Sequence, residues 1–298
     1  MSLISIPTYK ESAVSNYGIK LINAESFWEK SIKGNGVVVA VIDSGCYTEH
    51  ENLKDNIIGK FNFSNDDNSN TNNVTDYLGH GTHTAGIIAA QNKKNVIGVA
   101  PNAKLVILKV IGKDGGGNYE NLIKALNFAS DWRGKNNEKI DVINLSLGGR
   151  NKDSSLRKAI SKTISNDINV VAAAGNSGDG SDLTNEIIYP GYYKDVIQVA
   201  AVDQNLVPAS FSNTNVNIDF VAPGHIIYST FNDGDYRKLS GTSMAAPHVS
   251  GAIALLKEFF RINDIPATQE HIYEYLTSHS KVLEGYSSKT QGNGLIQL

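Results

Sequence analysis

The sequence predicts an α/β fold, a doubly wound and mostly parallel sheet with helices on both faces. Two patterns predict it. Short apolar runs recur along the chain: VVVAVI (37–42), LVILKV (105–110), IDVINLSL (140–147), NVVAAA (169–174) and VIQVAAV (196–202). Runs without polar alternation are the habit of strands covered on both faces. Helical patterns lie between them, and a chain that alternates strand with helix builds a parallel sheet through crossover connections.

The elements follow in chain order. VVVAVI ends directly on Asp43. GHGTHTAGIIAA (79–90) reads as a loop entering a helix of small residues. In NYENLIKALNFASDW (118–132), Leu122, Ile123, Leu126 and Ala129 repeat at three- and four-residue steps, the period of an amphipathic helix. DSSLRKAISKTI (153–164) places Leu156, Ala159, Ile160 and Ile164 on one face, behind Asp153 or Ser154 as the N-cap. The stretch GTSMAAPHVSG (241–251) opens a helix whose Ala245, Ala246, Ser250 and Gly251, with Ala252 beyond, suit a tightly packed centre. SNDDNSNTNN (64–73) is too short for an interdomain linker and reads as a surface loop. With no internal repeat and no long linker, the expectation is one domain over residues 18–298, preceded by an extension of residues 1–17.

Composition narrows the function. The 27 basic residues meet 30 acidic ones, a net charge of −3, with no run of five or six like charges. Nucleic acid and polybasic membrane contact are therefore not expected. A single cysteine, Cys46, rules out an intramolecular disulfide and a Cys-based zinc site. No stretch has the length of a membrane span, and MSLISIPTYKESAV lacks the pattern of a secretion signal. A cytoplasmic protein is the expectation.

In open parallel sheets, ligands sit beyond the carboxyl ends of the strands. Asp43, Ser146, Asn176 and Gly115–Gly117 stand there. Each has an ordinary structural explanation: Asp43 as a cap or turn former, Asn176 as a turn residue, and Ser243 as the cap of the following helix. A dinucleotide site fails because no GxGxxG opens a following helix. His80 and His83 lack a third metal ligand at suitable spacing. Ser243 precedes a helix whose free amides and positive dipole end suit a developing oxyanion.

Together these residues say more. Asp, His and Ser in that chain order, on separate strand and helix edges with an Asn donor between His and Ser, form the order of the subtilisin triad. The chain resembles the subtilisin family of serine peptidases through VAVIDSG, GHGTHTAGIIAA, GVAPNAKL, INLSLGG, VVAAAGNSG, VAPG and GTSMAAPHVSGAIALL. It is most similar to the intracellular branch, through its entry GIKLINAESFWEKSIKGNGVVVAVIDSGC with Cys46 just after Ser-Gly.

The resemblance implies a subtilisin-like fold and an endopeptidase that forms an acyl-enzyme. It assigns Ser243 as nucleophile, His80 as base, Asp43 as the group that fixes the histidine, and Asn176 as oxyanion donor; His83 and His248 are structural. Substrate peptides would lie between Gly115, Gly116 and Gly117 on one side and Ser146, Leu147 and Gly148 on the other. Ile188 matches a small residue at the floor of the primary pocket and makes that floor shallower. Leu or smaller side chains are therefore expected before the cleaved bond, rather than Phe or Tyr. The branch also carries an inhibitory N-terminal extension with a Leu-Ile-Pro-Tyr run, to which SIPTY (5–9) is similar, with Ser5 and an inserted Thr8 as departures. Homodimers are implied as well.

Calcium is the clearest departure. The resemblance implies a structural Ca²⁺ held by the loop after the His helix and by an Asp that here is Asn52; the loop QNKKNVIG (91–98) offers Asn92 but adds Lys93 and Lys94. A missing carboxylate and nearby cations both weaken the binding of a hard divalent ion. A second, weaker cation site would lie at Asp219 and the carbonyls after Pro190. The motifs do not separate general degradation of protein from processing of leader peptides or precursors. A catalytically silent binding homologue would need a broken triad, and all four residues are intact.

Overall fold

The computed structural model describes residues 1–3, 6–9 and 16–298. Ser5 of the SIPTY stretch and residues 10–15 lie outside the described residues. Seven strands form the main sheet: β3 (Val38–Asp43), β4 (Ile57–Asn62), β5 (Lys104–Lys109), β6 (Val142–Leu145), β8 (Asn169–Ala173), β9 (Ile197–Val202) and β10 (Phe220–Pro223). Their spatial order is β10-β9-β8-β6-β3-β5-β4, and every pairing is parallel. The sheet is the doubly wound one that the apolar runs predict.

Why it is covered on both faces is visible along β3. All six of its residues are buried. Val39 and Val41 join the core under α1 (His80–Ala89) and α4 (Thr242–Ile262), whereas Val38, Ala40 and Ile42 join the core under α2 (Tyr119–Asp131) and α3 (Ser154–Ser165). Successive strand residues point to opposite faces, so two apolar layers require an uninterrupted apolar strand. The helix starts obey side-chain chemistry: Asp153 Oδ1 accepts from Leu156 N at 2.8 Å, and Asn118 Oδ1 accepts from Asn121 N at 2.8 Å. Helix α4 runs through the interior, buried from Thr242 to Glu258, and packs on β6, β8, β9 and β10.

Two edge strands escaped the sequence reading. β4 alternates between half-buried and exposed residues, and β10 is only four residues long and ends on Pro223, which an edge tolerates. The run at 140–147 is also broken: β6 stops at Leu145, and Leu147–Gly148 forms the separate strand β7. It pairs antiparallel with β1 (Ser2–Leu3). A third sheet joins β11 (Ile227–Thr230), β12 (Tyr236–Ser240) and β2 (Ile6–Tyr9), with β12 in the middle.

The winding explains where a site must form. After β3 the chain builds β4 and β5 on one side, then crosses to β6 on the other. The carboxyl end of β3 is thus the switch point where connections diverge and leave a crevice. Asp43 is its last residue.

Candidate active site

Asp43 is fully buried, and its Oδ1 lies 2.7 Å from Nδ1 of His80, which is 2 % exposed. The same oxygen accepts from Ser44 N at 2.7 Å. Backbone geometry delivers the histidine: Gly79 caps α1 with φ +79°, and a Cβ there would lie 2.3 Å from the Phe231 ring. Only glycine enters the helix along this path without strain. Burial by itself lowers the pKa of His80, yet the charge of Asp43, its hydrogen bond and the charge of Asp76 together hold it above the ordinary imidazole value.

Ser243 is the second residue of α4 and fully buried; its Oγ donates to Ser146 O at 3.1 Å. Among the described residues, His80 Nε2 is buried without a hydrogen-bond partner. The carbonyl of Ser243 accepts from Ser146 Oγ at 2.8 Å, and Asn144 Nδ2 in turn donates to that hydroxyl at 3.0 Å. Oδ1 of Asn176 accepts from Thr242 N at 2.9 Å and from Thr242 Oγ1 at 3.0 Å. These two bonds fix the Oδ1 end of the carboxamide against the start of α4.

The two predicted substrate edges flank one strand. Ser2 pairs with Gly148 on one side and bridges Gly116 on the other, Leu3 pairs with Leu147, and Gly117 N donates to Met1 O at 3.2 Å. Ile188 packs against the glycines beside this strand: a Cβ on Gly148 or Gly175 would sit 2.8 or 3.0 Å from its Cδ1. Several residues that shape the site escaped the sequence reading, namely Ser44, Asp76, Thr82, Thr242 and Lys109. The last had one signal, a lysine closing an apolar strand. Its ammonium is buried and donates to Ser44 O at 2.7 Å and Ile111 O at 3.0 Å.

The predicted cation positions fall in separate places. Asn52 Nδ2 donates to Lys93 O at 3.1 Å and Val96 O at 2.8 Å, while its Oδ1 accepts from Lys93 N at 3.0 Å. Asn92 is exposed with φ +68°. Asp219 accepts from Gln198 N and from the Tyr273 hydroxyl, both at 2.7 Å, and burial pushes its carboxyl up to about 6. Among the described residues no group of three or more His, Cys, Asp and Glu side chains could hold a metal ion. The residues around Asn52 do not fit Ca²⁺, because an amide already occupies the loop carbonyls that would ligate it.

A buried carboxylate paired with an imidazole at a switch point and a serine at a helix N-terminus are parts that a serine hydrolase requires. Residues 34–294 match the profile of the subtilase family. The chain belongs to that family, and it is a serine endopeptidase. It is 43% identical to the intracellular serine protease of Paenibacillus polymyxa over 283 residues, 94% of this chain and 84% of that protein. With the major intracellular serine protease of Bacillus subtilis (strain 168) it shares 47% identity over 244 residues, 81% of this chain and 75% of that one. Subtilisin DY of Bacillus licheniformis is 43% identical over 241 residues, 80% of this chain and 83% of that protein. Among the described residues no helix is long and apolar enough to cross a membrane.

Two further buried histidines, His83 and His248, titrate against the fold. His83 Nε2 lies 3.0 Å from both Ile227 O and Arg237 O, and His248 Nδ1 lies 2.8 Å from Met244 O. Burial lowers them to about 3 and about 4. Unfolding returns each to about 6.5, so the unfolded chain binds more protons below that pH and stability falls as pH drops toward the folded values. His80 has the opposite sign: its raised value favours the fold below the unfolded pKa, and this is lost as pH rises through the folded one. Urea midpoints between pH 7 and pH 5 for wild type and His83→Gln check the sign. The variant is expected to show the shallower dependence, and equal slopes would refute it.

Proposed function

We propose that Ser243 is the nucleophile, His80 the general base and Asp43 the group that orients and charges the imidazole. The Ser243 Oγ proton passes to His80 Nε2 as Oγ attacks the peptide carbonyl. The oxyanion takes hydrogen bonds from Asn176 Nδ2 and Ser243 N. Collapse returns the proton to the leaving amine, and water then repeats the sequence on the acyl-enzyme. The 2.7 Å Asp43–His80 contact carries this reading. Removing a side-chain oxyanion donor costs on the order of 10²–10³ in kcat, a value measured on subtilisin itself.

The substrate is a polypeptide in an extended conformation, paired between Gly115–Gly117 and Ser146–Gly148, where glycines let two backbones approach. The extension of residues 1–17 precedes a peptidase domain of residues 18–298 and inhibits it by filling this groove. The pairing of β1 with β7 and of β2 with β12 supports that reading. Two relatives are named intracellular proteases, which supports a cytoplasmic role in degrading or processing protein, with a homodimer as the expected assembly. Fluorophosphonate labelling of the full chain, of the chain lacking residues 1–16 and of Ser243→Ala tests both assignments. Labelling is expected to rise on truncation and to vanish with the alanine. Labelling that survives Ser243→Ala would overturn the nucleophile, and no rise on truncation would overturn inhibition. A folded chain that never labels would point to a silent binding homologue.

Ile188 sets the primary specificity. Its Cδ1 lies close to Gly148 and Gly175, which supports a shallow floor and a preference for Leu or smaller side chains. A peptide library should show Ile188→Gly gaining cleavage after Phe and Tyr. Unchanged profiles would remove Ile188 from this role.

The loop at 91–97 is held by the Asn52 carboxamide rather than by Ca²⁺. Thermal midpoints in EDTA and in millimolar Ca²⁺ are expected to coincide for wild type. A large upward shift with Ca²⁺ that Asn52→Ala abolishes would show that the ion displaces the amide.

A further inference from the structure

Asp76 is 3 % exposed and four residues ahead of His80, outside the acid–base pair, yet both of its oxygens face the two loops that build that pair. Oδ1 accepts from Ser44 Oγ at 2.8 Å, Leu78 N at 3.1 Å and Gly79 N at 2.9 Å. Oδ2 accepts from Thr82 N at 2.8 Å and Thr82 Oγ1 at 2.7 Å. Every partner donates, so the group is matched as a carboxylate. Ser44 follows Asp43 directly, and its Oγ also accepts from Gly81 N at 3.0 Å. Gly79, Gly81 and Thr82 surround His80 in the first turn of α1.

We infer that Asp76 is a positioning residue for the acid–base pair: its carboxylate locks the Asp43–Ser44 turn onto the first turn of α1 and adds a second negative charge beside His80. The need for it is geometric. Asp43 closes a strand and His80 opens a helix 37 residues later, so neither element fixes the other's register. Asp76 ties both, and its charge acts on the imidazole in the same direction as that of Asp43.

The other groups around His80 do not duplicate this role. His83, on the same helix, is neutral, and burial pushes the Cys46 thiol far up. Lys109, on β5, spends its ammonium on two backbone carbonyls and on Asp66 at 3.2 Å. His248, on α4, is held by Met244 O and Asn16. Asp43 and Asp76 remain as the two anions that favour imidazolium.

This inference rests on His80 as the general base, and its test separates the two claims. An NMR pH titration of the His80 ring in the full chain is compared among wild type, Asp76→Asn and Ser44→Ala, beside kcat and KM on a peptide substrate. Asp76→Asn is expected to move the His80 midpoint to lower pH and to reduce kcat on the order of tenfold at unchanged KM, since misplaced reacting groups cost rate rather than binding. Ser44→Ala keeps the charge and cuts the tether, so kcat falls while the midpoint stays. A wild-type midpoint in Asp76→Asn overturns the electrostatic role, and wild-type kcat in Ser44→Ala overturns the tether. Should Asp76→Asn not fold, Thr82→Val replaces it: a fall in kcat supports the clamp, and wild-type kcat overturns it. The titration needs no activity, so loss of the base assignment, read from His80→Ala retaining activity, would be distinguished from loss of the Asp76 role.

Discussion

The contact on which the rest depends is the one between Asp43 and His80, made wholly inside the protein. Buried charge is costly unless donors compensate it. A carboxylate at the end of β3 is enclosed because both faces of that strand are covered, and the same enclosure makes its influence on the imidazole strong. That compensation is one-sided: Oδ1 of Asp43 meets Ser44 N and His80 Nδ1, while among the described residues its Oδ2 is buried without a hydrogen-bond partner, and the polar groups nearby satisfy one another. Ser44 N donates to Asp43, Asp76 gathers five donors across two loops, and Lys109 satisfies Ser44 O and Ile111 O from beneath.

How much of this was legible in the sequence follows from the range of each interaction. The interior strands could be read because burial on two faces leaves a continuous apolar run, as in VVVAVI. β4 could not, since it alternates half-buried with exposed residues, and β10 could not because its apolar run is only four residues long and closes on a proline. Asp153 was readable as a cap because its partner, Leu156 N, is three residues away. Asp43, His80, Asn176 and Ser243 stood out through the motifs that contain them. Asp76 and Thr242 did not, since Asp and Thr are ordinary turn and cap formers. Their roles exist only in three dimensions: Ser44 lies 32 residues from Asp76, and Thr242 lies 66 from Asn176.

Asn52 shows the same limit from the other side. Its identity reveals a missing carboxylate, from which weak cation binding follows. It does not reveal that the carboxamide turns its two donors onto Lys93 O and Val96 O and its acceptor onto Lys93 N. A neutral amide meets three backbone groups without the dehydration that a divalent ion requires. The nearby Lys94–Glu51 and Lys93–Asp55 pairs are exposed, where solvent screens their attraction.

Recognition through the main chain has a consequence for any peptidase built this way. Strand edges that accept nearly any extended peptide cannot distinguish a substrate from the enzyme's own chain. Here the described residues 1–3 already run between Gly116 and Gly148, and residues 6–9 continue along β12. A covalently attached segment competes at an effective concentration that free peptides do not reach, so weak backbone pairing suffices for it. Selectivity among substrates must then come from the side-chain pockets, and on the proposed reading Ile188 narrows the floor of one. On the proposed reading, general binding and restricted cleavage are two sides of one geometry: the backbone groove admits the chain, and the pocket beneath decides which bond is presented to Ser243.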